Sequence, residues 1–150
     1  MNLNDYLDFV GNTFPYSLER VVRHHGQSFI PPTSPLPKEI SRGKVGLCFM
    51  NAYYACVYHD GLVYVEGFAV SVIPTRHAWC LDRDGNVIEV TWNPPGLEYF
   101  GVVFDLHFVE EVMLEKKTFG VMDYHSMKFK KISIKPSGGL NNVKQRQAHS

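Results

Sequence analysis

A change in hydrophobic period at Asp60-Gly61 constrains the fold more than any other feature of this 150-residue chain. Before it, residues 43–59 are apolar almost all round a helix, which is typical of a short helix buried inside a domain. After it, apolar and polar residues alternate with a period of two, which predicts strands over 62–71, 76–81 and 86–92. We therefore expect an α+β fold in which a buried helix packs on an antiparallel sheet.

The rest of the chain adds helices and strands around this centre. The proline-rich segment 31–37 excludes both a helix and a central strand, so it predicts a stiff connector. Further strands are predicted over 99–104 and 127–134. Three side chains can each cap the first turn of another helix: Asn2 (or Asn4), Ser17 and Asp105. We expect the second of these helices to end at Gly26.

Length and composition indicate one globular domain. A chain of 150 residues, 45% of them hydrophobic, buries enough surface to fold without a metal or disulfides. Its three cysteines are an odd number, which argues against a disulfide framework and favours a reducing compartment. No apolar run is long enough to span a membrane, and no signal peptide is seen. We expect a single domain over residues 1–135, in the cytoplasm of a bacterium or of an infected host cell.

The charge of the chain is balanced overall but unevenly distributed. A formal net charge of zero indicates neither nucleic acid nor a membrane as a partner. Residues 126–150, however, contain six basic residues and no acidic one. We predict a flexible basic tail over 136–150, which would allow a weak contact with nucleic acid.

Cys48 is the first candidate for chemistry, because it lies where the apolar helix is expected to begin. The positive end of a helix dipole favours the thiolate, which is the nucleophilic form of cysteine. Gly43 and Gly46 let the backbone approach closely, so free N–H groups there could stabilise an oxyanion. The alternative interpretation of Cys48 is a buried structural thiol.

His77 and Glu89 are polar residues in strands otherwise suited to a core, so each needs a partner. The turn between the two strands decides whether they meet. A two-residue turn puts them on opposite faces. A three-residue loop over 83–85, with Gly85 left-handed, pairs Trp79 with Glu89 and brings Glu89 within reach of His77. We favour the second register because it gives both polar residues a partner.

These three side chains have the types needed for nucleophilic catalysis. Cys48 would attack, His77 would accept its proton, and Glu89 would orient the imidazole. Four segments contain or adjoin them: residues 46–52 (GLCFMNA), 64–67 (YVEG), 77–79 (HAW) and 87–91 (VIEVT).

Together these segments resemble the core of the transglutaminase-like branch of the papain-like Cys-His-acid superfamily. Residues 99–102 (YFGV) are similar to a segment of small phage and bacterial proteins that have this core. The resemblance covers about residues 43–104 and implies a papain-like fold whose buried helix begins at the cysteine. Two positions depart from the family pattern: Glu89 stands in place of an aspartate and Val90 in place of a proline.

The predicted function is acyl transfer through a thioester on Cys48, with no cofactor. The substrate would be a protein, a peptide or a small amide, and the acceptor would be water or an amine. Trp79 and Trp92 would shield the thioester from water. We expect substrate contacts from residues near the nucleophile and along the strands: Lys44, Gly46, Asn51, Trp79, Trp92 and Tyr99.

Two alternatives remain open. One is a non-catalytic papain-fold module that binds or inhibits a host factor or nucleic acid. The other is a zinc site, because Cys56-x-x-His59 and His77-x-x-Cys80 form a symmetric array. Strand geometry opposes the zinc site, since residues 77 and 80 point to opposite faces of a strand.

Overall fold

A computed structural model of the protein describes residues 1–123, and within them it contains four helices and five strands. The helices are α1 (Leu3–Thr13), α2 (Leu18–His25), α3 (Cys48–Tyr58) and α4 (Leu106–Lys116). The strands are β1 (Gln27–Phe29), β2 (Val63–Val70), β3 (Pro74–Leu81), β4 (Val87–Ile88) and β5 (Glu98–Phe104). The predicted α+β class is confirmed. The strand predicted over 127–134 and the tail over 136–150 lie outside the described residues.

The five strands form one curled antiparallel sheet, a half-barrel, in the order β1-β5-β2-β3-β4. Successive side chains of β3 point to opposite faces of this sheet. Ala78 and Cys80 pack in a cluster to which all four helices contribute. Trp79 and Leu81 pack in a second cluster on the other face. The chain is therefore organised around two separate apolar clusters, one on each side of the sheet.

The helix boundaries follow the predicted caps. The side chains of Asn2, Ser17 and Asp105 accept hydrogen bonds from backbone N–H groups in the first turns of α1, α2 and α4. Helix α2 ends at Gly26, whose N–H donates to Val22 O at 2.7 Å. None of the helices within residues 1–123 is long and apolar enough to cross a membrane.

The hairpin between β3 and β4 has the predicted register. Cys80 pairs with Ile88 and Leu81 with Val87, and Gly85 has a φ of 82°. The predicted strand over 86–92 is too long, because β4 ends at Ile88. Beyond Ile88 the strand pairing stops. The backbone N–H groups of Thr91 and Trp92 donate to the carboxylate of Glu89 instead of to a neighbouring strand.

Helix α3 is buried on one side only, so the prediction that it is buried all round is wrong. Ala52, Ala55 and Cys56 face the sheet and are buried. Tyr54, Val57 and Tyr58 face outward, with exposed fractions of 41%, 43% and 75%. Because these three residues count as apolar, the sequence pattern did not reveal the outward face of the helix. Tyrosine has an apolar ring and a polar hydroxyl group that tolerates water.

Candidate active site

Cys48 is the first residue of α3, and its thiol is free and partly exposed. The chain enters the helix through a turn in which Leu47 N donates to Lys44 O at 3.2 Å and Gly46 has a φ of 90°. Leu47 occupies the N-cap position, and no side chain caps this end of the helix. The N–H groups of a helix's first turn have no acceptor within the helix, so this terminus presents hydrogen-bond donors beside the thiol.

His77 lies on β3 and is 1% exposed. Its Nε2 lies 2.8 Å from Glu89 Oε1, and the Cys48 side chain is the other neighbour that raises the pKa of the ring. Because Nε2 is engaged by Glu89, Nδ1 is the ring nitrogen left for the thiol. The structure thus brings Cys48, His77 and Glu89 together in the predicted order. The longer side chain of glutamate spans the distance to the imidazole.

Glu89 accepts hydrogen bonds on both carboxylate oxygens. Oε1 faces His77 and also accepts from the Tyr99 hydroxyl at 2.8 Å. Oε2 accepts from the backbone N–H groups of Thr91 at 3.0 Å and Trp92 at 3.1 Å. A carboxylate with this many donors is stable in its ionised form although it is buried. Glu89 is therefore held as an anion in a single orientation toward His77.

The pKa values of His77 and Glu89 move in the directions expected of an ion pair. Burial lowers the pKa of His77, but the Cys48 and Glu89 side chains beside it outweigh burial and raise the pKa above its usual value. Burial raises the pKa of Glu89, but His77, the Trp92 N–H and the Tyr99 hydroxyl outweigh it and lower the pKa below the usual value. The site favours an imidazolium beside a carboxylate.

Trp92 covers the imidazole. Its ring stacks on His77 with centroids 3.7 Å apart and planes inclined by 16°. Trp92 is partly exposed, so it separates the His77 ring from solvent and can also meet a substrate. Contact of Trp92 with a substrate and shielding of a thioester stay predictions.

Trp79 and Tyr99 cannot contact a substrate as predicted, because they are 0% and 2% exposed. Trp79 packs against Tyr99, with ring centroids 5.0 Å apart, and against Phe29 at 6.0 Å. Trp79 therefore does not shield a thioester at the surface. Both residues were predicted to contact a substrate because of their positions in the strands. Their side chains point to the buried face of β3 and β5, which explains the error.

Asn51 also has a different role from the predicted one. Its side-chain amide donates to Lys44 O and to Thr91 Oγ1, both at 2.9 Å. These two bonds use both amide hydrogens, so none is left to donate to a substrate. A Cβ atom at Gly43 would collide with this amide. Asn51 ties the loop before α3 to the segment after Glu89, and thereby fixes Cys48 relative to His77.

Lys44 and Gly46 remain at the surface beside the nucleophile. Both are exposed, and a Cβ atom added at Gly46 would meet open space. Of the residues predicted to contact a substrate, Lys44 and Gly46 are thus exposed, Asn51 and Trp92 are partly exposed, and Trp79 and Tyr99 are buried. A cleft of about 410 Å³ lies elsewhere, between residues 28–37 and the β3–β4 hairpin, and neither Cys48 nor His77 lines it.

The predicted zinc array is not assembled. Cys56 and Cys80 are buried, with their sulfur atoms 3.6 Å apart, and Cys80 also contacts Ala52 O at 3.4 Å. The hydrogen bond between Cys80 and Cys56, together with burial, raises the pKa of Cys80 well above its usual value, which keeps this thiol protonated. Within residues 1–123, no three His, Cys, Asp or Glu side chains are placed to hold a metal ion.

The roles of two buried residues, one at this site and one on the other face of the sheet, escaped sequence reasoning. Tyr99 was predicted to bind substrate, although its hydroxyl binds Glu89. Glu66 was not singled out, although it is an acid within an apolar strand, as Glu89 is, and is 0% exposed. The same signal that identified Glu89, an ionisable residue at a core position, was available for Glu66.

Comparison with known proteins gives no relative from which a function could be transferred. No protein-family model matches the chain, and no curated protein or solved structure is similar to it.

Proposed function

We propose that this protein is a thiol-dependent acyl-transfer enzyme of the transglutaminase-like, papain-like type. One observation carries the proposal: Cys48 lies at an uncapped helix N-terminus beside His77, whose pKa it helps to raise, and His77 is in turn held by Glu89 at 2.8 Å. A nucleophile, a base and a group that orients the base are the three parts of this chemistry. A helix that begins at the cysteine and packs on an antiparallel sheet supports the papain-like assignment.

The reaction begins with proton transfer from the Cys48 thiol to His77. The thiolate attacks the carbonyl carbon of an amide, and the C–S bond forms as the carbonyl oxygen becomes an anion. In this proposal, the N–H groups in the first turn of α3, which have no side-chain cap, stabilise the oxyanion. His77 then donates its proton to the amide nitrogen, the C–N bond breaks, and an amine leaves a thioester on Cys48.

The second half of the reaction uses the same groups in reverse. His77 takes a proton from water or from an amine, which attacks the thioester carbonyl. The C–S bond breaks, and the Cys48 sulfur recovers its proton from His77. Water gives hydrolysis and an amine gives transfer. Glu89 stabilises the imidazolium in both halves and does not itself exchange the proton.

Alkylation by iodoacetamide between pH 5 and pH 9, followed by mass spectrometry, tests the nucleophile. We expect Cys48 to be alkylated selectively and already below pH 7, because the neighbouring imidazolium stabilises the thiolate. Cys56 and Cys80 serve as internal controls in the same molecule. His77→Ala should slow alkylation of Cys48 at low pH. Slow labelling of Cys48 with the pH dependence of an ordinary thiol would contradict catalysis.

A simple ester tests the acyl-transfer step. With p-nitrophenyl acetate, we expect release of nitrophenol and a gain of one acetyl group on Cys48, absent in Cys48→Ala. Addition of a primary amine then distinguishes the acceptors. Faster loss of the acetyl group with an acetylated amine as product indicates transfer, whereas an unchanged rate indicates hydrolysis. Failure of Cys48 to be acetylated would contradict the proposal.

A further inference from the structure

We propose that Tyr99, fixed by the backbone of Gly96, is a positioning residue that holds Glu89 in the orientation His77 requires. The inference rests on the proposed function of the Cys48–His77–Glu89 site and extends it by a fourth side chain.

The hydrogen-bond directions around Tyr99 are determined by the donors present. The Gly96 N–H donates to the Tyr99 hydroxyl oxygen at 2.7 Å, and an amide nitrogen cannot accept in return. The hydroxyl hydrogen is therefore directed to its other neighbour, Glu89 Oε1, at 2.8 Å. This oxygen is the same one that faces His77 Nε2. Tyr99 thus acts on the oxygen that contacts the base.

The other donors cannot replace Tyr99. The N–H groups of Thr91 and Trp92 both bind Oε2, so neither of them donates to the Oε1 end of the carboxylate. Without the Tyr99 hydroxyl, Oε1 would keep His77 as its single described partner. A buried carboxylate oxygen that loses a donor reorients or protonates more readily, and either change weakens the imidazolium.

Gly96 makes this contact possible because it has no side chain. A Cβ atom there would lie 3.1 Å from both Cζ and the hydroxyl oxygen of Tyr99. Such a contact is tight enough to displace the ring by a few tenths of an ångström. Gly96 has no left-handed backbone conformation that alanine would strain. Gly96→Ala therefore perturbs the position of the hydroxyl while leaving its chemistry intact.

The chain contains a matched control for the loss of a buried tyrosine hydroxyl. Tyr64 is 1% exposed, and its hydroxyl donates to Glu66 Oε2 at 2.6 Å on the other face of the sheet. Burial and the Glu66 carboxylate raise the pKa of Tyr64 well above its usual value, so the phenol is neutral in the assay. Tyr64→Phe thus removes an equivalent hydrogen bond from a carboxylate that does not contact His77.

The test compares the pH profile of Cys48 alkylation in wild type, Tyr99→Phe, Gly96→Ala and Tyr64→Phe. We expect Tyr99→Phe to slow alkylation at pH 6 by about tenfold, which is the effect of losing one hydrogen bond to a charged group. Phenylalanine keeps the ring packing against Trp79, so a purely structural role would leave the profile unchanged. Gly96→Ala should shift the profile in the same direction by less, and Tyr64→Phe should not shift it.

A double variant makes the assignment specific. If Tyr99 acts through Glu89, Tyr99→Phe has no further effect on alkylation in a Glu89→Gln background. An unchanged profile in Tyr99→Phe, an equal shift in Tyr64→Phe, or additive effects in the double variant would each overturn the inference. These outcomes differ from failure of the proposed function, in which Cys48 of the wild type itself shows no selective reactivity.

Discussion

Two buried carboxylates, Glu66 and Glu89, lie on opposite faces of the sheet and have nearly the same surroundings. Each accepts hydrogen bonds from one tyrosine hydroxyl and from two consecutive backbone amides. For Glu66 these donors belong to Tyr64, Val121 and Met122, and for Glu89 to Tyr99, Thr91 and Trp92. The fold therefore buries both carboxylates in the same way, by surrounding each with hydrogen-bond donors that the surrounding structure holds in place.

The two sites differ in the cation on β3. Glu66 faces Arg76, with Nη2 3.4 Å from Oε1, whereas Glu89 faces His77, with Nε2 2.8 Å from Oε1. These cations are neighbours in sequence, so they point to opposite faces. Arginine never gives up its proton, and histidine does so near neutral pH. The same arrangement thus anchors a chain segment on one face of the sheet and, on the other, holds the histidine that we propose as the base.

Exchanging each cation for glutamine is expected to give the largest difference between the two sites. His77→Gln removes the proton acceptor of Cys48, so alkylation at pH 6 should slow by about 10²–10⁴-fold. Arg76→Gln removes a cation that neither contacts Glu89 nor receives the thiol proton, and should change the rate by less than about threefold. Mass spectrometry of the alkylated protein gives both rates. Equal slowing in the two variants would mean that the nearby positive charge, not the base, activates Cys48.

Removing each carboxylate separates anchoring from chemistry. In Glu66→Gln, the amide nitrogen adds a donor where Tyr64, Val121 and Met122 already donate. The free energy of unfolding should fall by about 2–4 kcal/mol, because buried donors lose their acceptor. We expect Cys48 of the folded variant to keep its alkylation profile, in contrast to Glu89→Gln. Urea denaturation measures the first effect. An unchanged urea midpoint would show that Glu66 is not an anchor.

The pH dependence of the free energy of unfolding should also distinguish the His77–Glu89 pair from the Arg76–Glu66 pair on the other face of the sheet. The pKa of Glu89 is lowered, so its contribution is present above its ordinary value of 4.5 and is lost as pH falls through the folded value. The pKa of His77 is raised, so its contribution is complete below its ordinary value of 6.5 and is lost as pH rises through the folded value. Between pH 6 and pH 8, the free energy of unfolding should fall more in wild type than in His77→Gln. Parallel curves for the two proteins would contradict the ion pair.

Local patterns were sufficient to predict the part of the site built by the β3–β4 hairpin. The left-handed Gly85 and the need for partners at His77 and Glu89 together predicted the register, and the structure has it. The caps of the helices were equally local, since each cap bonds an N–H two or three residues away. Such features depend on interactions within one turn or hairpin, which the residue types there determine.

Contacts between distant segments could not be predicted in the same way. The bond from Val121 to Glu66 joins residues 55 positions apart through a backbone amide, which any residue other than proline provides. Tyr99 was interpreted as a substrate contact because an aromatic residue in a strand has the same pattern whether or not its hydroxyl is used. The outward face of α3 depends on how the helix lies on the sheet. In each case, tertiary packing decided what composition and periodicity left open.

The smallest expected effect concerns residues 120–123, the segment that Glu66 anchors through the backbone of Val121 and Met122. Lys116 donates to Gly120 O at 2.9 Å and binds the Asp123 carboxylate, so it closes the same turn from the side of α4. Burial raises the pKa of Asp123, but Lys116 and Arg76 outweigh it and lower the pKa. Because Asp123 is nearly half exposed, Lys116→Met should lower the free energy of unfolding by about 0.5–1 kcal/mol.

The decisive comparison is Lys116→Met in a Glu66→Gln background. If Glu66 and Lys116 hold residues 120–123 jointly, then release of the segment by Glu66→Gln should leave Lys116→Met with little further cost. Fully additive losses in urea denaturation would instead show two independent contacts. In neither background should alkylation of Cys48 change, because Lys116 does not touch Glu89 or His77. A shift in reactivity would mean that the two faces of the sheet are coupled, so that the anchor at Glu66 also positions the nucleophile.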